Sequence, residues 1–290
     1  MKAFIFPGQG SQFSGMGYDL YKNNSKAKKL FELSNKIVEF DITKIMFEGS
    51  TEDLKQTNVT QPAIFIHSVI SAKCISSFKP DMVAGHSLGE ISAITAAKTL
   101  SFEDGLKLVI ARSQGMHEAC INSKSTMAAI IGLDAKIVRK TCMDQEGIVV
   151  PANYNSHNQI VISGEKSSVE KTCEILKSIG AKRAIILAVA GAFHSPIMES
   201  AKTKLAQAIS DIEFQSPICS IYQNVVANRV KNKSEIKSNL IDQLTQPVQW
   251  YQTIEQMIKD GASSFFEIGP GNVLTNLNKR INNIVITKKL

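Results

Sequence analysis

Residues 81–93 read DMVAGHSLGEISA, and the way this stretch folds decides the class of the whole chain. Met82-Val83-Ala84 is a short apolar run of the kind that fills a buried strand, and helix-forming residues begin directly after Gly89. Between them Ser87 is the centre of a Gly-x-Ser-x-Gly frame running from Gly85 to Gly89. Chance supplies such a frame to roughly one chain in ten of this length, because Gly and Ser are both common. The strand-to-helix setting is what gives it weight. A serine on a tight strand–helix bend needs small flanking residues, and the helix start behind it offers free N–H groups to developing negative charge. The alternative is a plain tight turn, and the setting favours a nucleophile over it.

Working outward, the first third alternates short strands with longer helices. KAFIF (2–6) is an apolar strand stopped by Pro7-Gly8, and PAIFIHSVISAKCISS (62–77) is a helix expected to open at Pro62. LGEISAITAAKTL (88–100) is a helix, and so is FEDGLKLVIARSQGMHEAC (102–120), opened by Ser101 with acidic residues in its first turn. This alternation implies an α/β fold with a parallel sheet covered on both faces. The middle changes grammar. TMAAIIG (126–132), GIVVPANY (147–154), QIVISG (159–164) and an apolar run over 184–190 read as strands, with helices at AKIVRKTC (135–142) and KSSVEKTCEILKSIG (166–180). The order β-α-β-β-α-β is the ferredoxin-like plan. It predicts a small subdomain over 125–190 inserted in a larger one formed by 1–124 and 191–290. The larger one resumes with a helix over SPIMESAKTKLAQAIS (195–210), a strand at SSFFEIG (263–269) and a helix in PGNVLTNLNKRI (270–281). A cleft between two such units is where a small-molecule site is expected.

Composition narrows the classes. The 290 residues are 43% apolar and 20% charged, which is ordinary for a globular protein with a real core. Lys and Arg outnumber Asp and Glu by 33 to 26, a formal charge of +7. That suits an anionic partner (nucleic acid, an acidic protein or a phosphorylated cofactor) as well as it suits a merely basic surface. The five cysteines never form a Cys-x-x-Cys pair, so neither a disulfide framework nor a zinc site is expected, in keeping with a reducing cytosol. MKAFIFPGQG is not a signal peptide, and the longest apolar stretch, AIILAVAGAF, has about half the length needed to span a bilayer. A soluble, cytoplasmic protein with no membrane contact is expected. The P-loop and dinucleotide glycine frames are absent, as is any nucleic-acid-binding motif.

A serine needs a base, and five histidines are available. His67 lies in an apolar helix and reads as packed, His117 is on a helix, and His157 is in a hairpin turn. His86 adjoins the serine, so its ring should point away from the hydroxyl. His194 follows an apolar strand at a strand-to-helix corner, a place where catalytic groups collect, and it leads the others; a loop histidine without a role is the alternative. Arg112 sits among Leu108, Val109, Ile110 and Ala111. It must snorkel out, pair with a carboxylate, or await an anionic ligand. The glycine-rich turns FPGQGSQ (6–12) and EIGPGN (267–272) read as turns, the first able to present backbone N–H groups to an oxyanion.

Taken together, FPGQGSQ (6–12), GHSLGE (85–90), AR (111–112), ANYNS (152–156), GAFHS (191–195), QLTQPVQW (243–250) and EIGPG (267–271) resemble the malonyl-CoA:acyl-carrier-protein transacylase family, nearly end to end. The resemblance implies a hydrolase-like α/β core with the ferredoxin-like insertion. It implies Ser87 as acylated nucleophile, His194 as general base and acid, and the backbone N–H groups of Gln9 and Leu88 as the oxyanion hole. Arg112 would bind the malonyl carboxylate, and the backbone carbonyl of Gln243 would orient the histidine in place of a triad acid. No acidic side chain between Ser87 and His194 stands out as a third member. It further implies a monomer that takes malonyl-CoA and acyl carrier protein, needs no metal or cofactor, and binds no nucleic acid. RVKNKSEIK (229–237) is then either a docking patch for an acidic carrier or a solvated loop. The rival readings are a serine hydrolase such as a thioesterase, which would want an acidic triad member and open water access, and a basic nucleic-acid-binding protein.

Overall fold

The computed structural model describes residues 1–189 and 191–290. The chain begins with β1 (Lys2–Phe6), α1 (Tyr18–Asn23), α2 (Ser25–Val38), α3 (Ile42–Glu48) and α4 (Thr57–Cys74). The serine stretch forms β2 (Met82–Gly85) and α5 (Leu88–Ala96), followed by α6 (Phe102–Ile121). Then come β3 (Ser125–Ile131), α7 (Ala135–Met143), β4 (Val149–Ser156), β5 (Gln159–Glu165), α8 (Lys166–Ser178) and β6 (Arg183–Ile186). The rest is α9 (Glu199–Ser210), β7 (Ser220–Gln223), β8 (Asn228–Val230), α10 (Lys233–Asp242), α11 (Trp250–Lys259), β9 (Ser264–Glu267), α12 (Val273–Ile281) and β10 (Ile286–Lys289).

Five strands run parallel in the order β10-β9-β1-β2-β7, and β8 adds an antiparallel edge beside β7. Strand side chains alternate between faces, and β1 and β2 use both. Phe4, Phe6 and Val83 enter the main core with α4, α5 and α6, while Ala3, Ile5, Met82 and Ala84 meet Trp250, Ile254, Leu274 and Leu277 of α11 and α12. Each buried phenylalanine contributes about 1.5–3 kcal/mol. With both faces covered, β2 is buried at all four residues, and its C-terminal end delivers the serine bend into the interior.

The second sheet has the order β4-β5-β3-β6, antiparallel throughout. Its first and third strands lie side by side at the centre, the ferredoxin-like arrangement. Ala128, Ile130, Ile160 and Ile162 face Val138 of α7 and Leu176 of α8, whereas Met127, Ala129 and Val161 join the main core. Strand β4 is also tied to the segment after α10. Tyr154 N–H donates to the Val248 carbonyl at 2.9 Å, and Val248 N–H donates to Ala152 at 2.8 Å.

Several element boundaries differ from the sequence reading; α5, expected to run to Leu100, ends at Ala96, and α4, expected to run to Ser77, ends at Cys74. Helix α4 begins at Thr57, so Pro62 lies inside it rather than at its first turn. The extra turn is polar and β-branched, yet Thr57, Val59, Thr60 and Gln61 are all buried, and packing overrides weak propensity. The helix expected from Ser195 starts with a single tight turn, Pro196–Met198, before α9, because proline fixes the first turn. The strand expected over 184–190 ends at Ile186, although Leu187 N–H still reaches the Met127 carbonyl at 2.9 Å. Ala190, the last residue of the expected 125–190 unit, lies outside the described residues. Among the described residues no helix is long and apolar enough to cross a membrane.

Candidate active site

Ser87 joins β2 to α5 with φ 52° and ψ −110°, a left-handed backbone that costs a non-glycine residue of order 1–3 kcal/mol. Its two glycines make the bend possible. A Cβ on Gly85 would lie 1.9 Å from the Gly89 carbonyl, and one on Gly89 would lie 2.0 Å from the Phe6 carbonyl. The end of β1 therefore packs straight onto the serine turn. Gly8 continues this contact, since a Cβ there would sit 2.5 Å from the His86 carbonyl.

His194 reaches this bend from 107 residues away: its Nε2 is 2.7 Å from Ser87 Oγ. Its Nδ1 is 2.7 Å from the Gln243 backbone carbonyl. A carbonyl only accepts, so Nδ1 carries the proton, and Nε2 is left as the lone pair that accepts from the serine hydroxyl. Burial, with the field of Arg112 added to it, pushes the imidazole down to about 3, so the ring is neutral across the physiological range.

Arg112 is the largest charged group of the buried interior, 1% exposed on α6, with no carboxylate within ion-pair distance among the described residues. Its guanidinium donates to Gln61 Oε1 at 2.6 Å, to Gln243 Oε1 at 3.1 Å and to Ser87 Oγ at 3.0 Å. Its Nε is buried with no partner. Burial lowers it to about 10, which leaves it cationic at neutral pH. An unpaired buried charge is costly, several kcal/mol for an ion taken out of water without a counter-ion.

Ser87, His194 and Arg112 line one cavity of about 430 Å³ together with Gln9, Leu88 and Asn155. In the first turn of α5, Gly89 N–H and Glu90 N–H are taken by the His86 and Ser87 carbonyls. The N–H groups of Leu88 and Gln9 have no protein acceptor among the described residues. His194 and Arg112, 107 and 25 residues away in sequence, thus meet at the Ser87 hydroxyl. Of the other histidines, His86 turns to Asn155 Oδ1 at 2.8 Å and packs on Trp250 with ring centroids 5.5 Å apart. His157 pairs with Glu255 at 3.2 Å, and His67 stands beside Ser71 at 3.4 Å.

The sequence matches the acyl transferase domain family over residues 3–283. A malonyl CoA-acyl carrier protein transacylase of Staphylococcus aureus (strain MRSA252) is 41% identical over 283 residues, 97% of this chain and 92% of that protein. The chain belongs to this transacylase family. The solved structure of the malonyl CoA-acyl carrier protein transacylase from Coxiella burnetii superposes with a TM-score of 0.96 at 36% identity, covering 100% of this chain and 93% of that one. A malonyl-transacylase solved in complex with a type II PKS acyl-carrier protein gives a TM-score of 0.96 at 37% identity, covering 100% and 95%.

Three residues of this transacylase site escape a reading of the sequence. Gln61 holds Arg112, and it lies in the turn of α4 that precedes Pro62. Asn224, just past β7, accepts the Ser87 N–H at 2.8 Å and donates to the Gly85 carbonyl at 2.7 Å. Glu90, fully buried on α5, accepts the Asn224 N–H at 2.6 Å. It lies between Ser87 and His194 in sequence, yet it braces the serine bend and not the histidine. The one signal for it was its place in GHSLGE; for Asn224 there was none. In the RVKNKSEIK stretch, Lys237 is committed to structure, donating to the Ile212 carbonyl at 2.7 Å and lying over the Phe214 ring.

Proposed function

We propose that the protein transfers a malonyl group from malonyl-CoA to the phosphopantetheine thiol of acyl carrier protein, through a malonyl ester on Ser87, as a step of fatty acid synthesis. The observation that carries this reading is Arg112: a buried cation that feels Glu90 only through space, has no carboxylate in ion-pair contact among the described residues, and lies 3.0 Å from the serine that would be acylated. An incoming acyl group that ends in a carboxylate supplies the direct partner, and a guanidinium can take it bidentately. The names of the relatives, and the carrier-protein complex among them, support the same donor and acceptor.

In this mechanism Ser87 Oγ attacks the thioester carbonyl while His194 Nε2 takes its proton. The tetrahedral oxyanion is held by the N–H groups of Leu88 and Gln9, each such donor being worth on the order of 3 kcal/mol. The Gln243 carbonyl keeps Nδ1 protonated and stabilises the imidazolium that forms. His194 then returns the proton to the coenzyme A thiolate. The carrier thiol enters, His194 accepts its proton, and the same steps run in reverse. Arg112 fixes the malonyl carboxylate throughout, which orients the carbonyl and selects the acyl group. The chemistry calls for no metal or cofactor, because both exchanged groups are thioesters. A hydrolase is supported less well: the histidine's partner at Nδ1 is a carbonyl at 2.7 Å and not a carboxylate.

The same reading treats 1–124 with 191–290 as the catalytic unit and 125–190 as its cover. It describes a cytoplasmic monomer that meets neither nucleic acid nor membrane, with the formal charge of +7 suited to an acidic carrier and to coenzyme A phosphates. Intact-mass measurement tests it. Incubation with malonyl-CoA should give a malonyl adduct that is absent in Ser87→Ala and that moves to added carrier protein; an adduct that forms on Ser87→Ala would sink the proposal.

A further inference from the structure

Behind Ser87 lies a hydrogen-bonded chain that the acyl-transfer steps do not use. At one end the Arg112 guanidinium, a donor only, faces Gln243 Oε1 at 3.1 Å. That contact turns Gln243 Nε2 toward the Ser87 carbonyl at 3.1 Å and Asn224 Oδ1 at 3.3 Å. Asn224 then grips both sides of the bend, accepting from Ser87 N–H and donating to the Gly85 carbonyl. At the other end Glu90 accepts twice, from Asn224 N–H at 2.6 Å and from Gln223 Nε2 at 3.1 Å. Two accepted bonds and no donated one are what an ionised carboxylate makes. Arg112 thus fixes the orientation of the Gln243 amide, the Ser87 N–H and the Gly85 carbonyl fix that of the Asn224 amide, and the Glu90 carboxylate holds the Asn224 backbone.

We propose that Glu90, as a carboxylate acting through Asn224, is a positioning residue that holds Ser87 in its reactive left-handed conformation. A fully buried carboxylate without a salt-bridge partner is expensive to keep, and a neutral glutamine of the same shape would spare the expense. Glutamine cannot do the same job, because it offers one acceptor where the site needs two. The Gln223 amide cannot turn round to accommodate it: its Nε2 also donates to the Ile236 carbonyl at 3.1 Å, and its Oε1 accepts from Asn239 at 3.0 Å. A glutamine at 90 therefore sets one N–H against another, either at Gln223 or at the Asn224 backbone. Displacement of Asn224 releases the Ser87 N–H and the Gly85 carbonyl together, and with them the unfavourable φ of 52°. Burial pushes the Glu90 carboxyl up to about 7 from 4.5. The folded state then holds a proton that the unfolded chain has released, so stability falls as pH rises through that window, and removal of the charge relieves the loss above it.

This inference rests on Ser87 as the acylated residue, so the test uses a reaction independent of the acyl donor. Labelling of Ser87 by a fluorophosphonate probe and single-turnover loading from malonyl-CoA and acetyl-CoA should all slow by about tenfold or more in Glu90→Gln. KM for malonyl-CoA should stay within about twofold, and the melting temperature at pH 8 should not fall below that of the wild type. A residue that only supports packing would lose activity and melting temperature together, and that result overturns the proposal, as does labelling within about twofold of wild type. Asn224→Leu keeps the backbone bond to Glu90 and removes the grip on the bend. It should show the same slow labelling, and Glu90→Gln added to it should cost less than about twofold more. Losses that multiply would refute action through Asn224. If Glu90→Gln does not fold, Asn224→Leu decides alone, with labelling within about twofold of wild type counting against the proposal. Slow probe labelling alongside absent malonyl transfer in the wild type would leave this inference standing and remove the proposed function instead.

Discussion

The two walls of the cavity are built on different principles. On the side of the six-stranded sheet, the side chains at the serine are buried and tied to one another, while the N–H groups of Leu88 and Gln9 have no acceptor among the described residues. Ser87 has four side-chain partners (His194, Arg112, Asn224 and Gln243), and Arg112 sets the orientation of the Gln243 amide. On the side of the four-stranded sheet, the cavity meets neutral amides. Asn155 Oδ1 accepts from His86 Nε2, Asn153 Oδ1 is buried without a partner, and Gln159 accepts from Arg280 at 3.1 Å. The first wall holds groups that must be right to a fraction of an ångström before substrate arrives. The second presents neutral amides on which the proposed acyl transfer places no reacting atom, so less is asked of each one.

That contrast predicts a steep gradient of mutational effects across the cavity. The largest loss belongs to Ser87→Ala, which should abolish the acyl-enzyme in intact-mass spectra and reduce turnover at least about a thousandfold. His194→Ala should cost on the order of a hundred- to ten-thousandfold in the rate of acylation, read by stopped-flow release of coenzyme A. Arg112→Ala should reduce malonyl loading about a hundredfold while acetyl loading is spared; equal losses would make the arginine a packing element. The same variant carries a pH signature. Burial and then Arg112 hold His194 down at about 3, so in a Glu90→Gln background, where the carboxyl that stands at about 7 no longer titrates, labelling of Ser87 should stay flat as pH falls through the ordinary histidine range. Removal of the guanidinium raises the histidine, and the acid limb of the labelling rate should move to higher pH. A limb that moves down, or not at all, would show that Arg112 does not act on the base. The smallest effects are expected on the opposite wall. Asn153→Ala and Asn155→Ala should change turnover by less than about tenfold, mainly through KM. A loss in Asn155→Ala as deep as that in His194→Ala would erase the contrast between the walls.

How much of this was legible in the chain follows the same division. The serine bend is a local event: Gly85, Ser87 and Gly89 lie within five residues, and the close approaches that demand glycine involve their own neighbours and the end of β1. The inserted sheet was legible for a similar reason, since each of its strands is joined to the next by one helix or, between β4 and β5, by a short turn. His194 and Gln243 are different. Each is an ordinary loop residue until tertiary structure brings it to Ser87; its strand-to-helix corner put His194 ahead of the other histidines, and the resemblance to a family supplied the role of Gln243 and the link from His194 to Ser87. Gln61 was lost to a boundary, because Pro62 reads as a helix start and the helix is in fact sustained through it by burial. Glu90 was lost to an ambiguity, since an acid in a first helical turn is also what the helix dipole favours. Helices α1 and α3 and the edge strands β8 and β10 are too short to carry a periodic apolar pattern in the sequence.

The central claim is that Ser87 relays an acyl group between two thiols and withholds it from water. The direct measurement is the partition of preformed malonyl-Ser87. The acyl-enzyme is isolated free of malonyl-CoA, mixed with carrier protein bearing phosphopantetheine or with buffer alone, and followed by intact mass. The account predicts rapid appearance of malonyl-carrier with stoichiometric loss from Ser87, and an acyl-enzyme in buffer that persists far longer. Loss at the same rate with and without the carrier, with free malonate as the product, would contradict it.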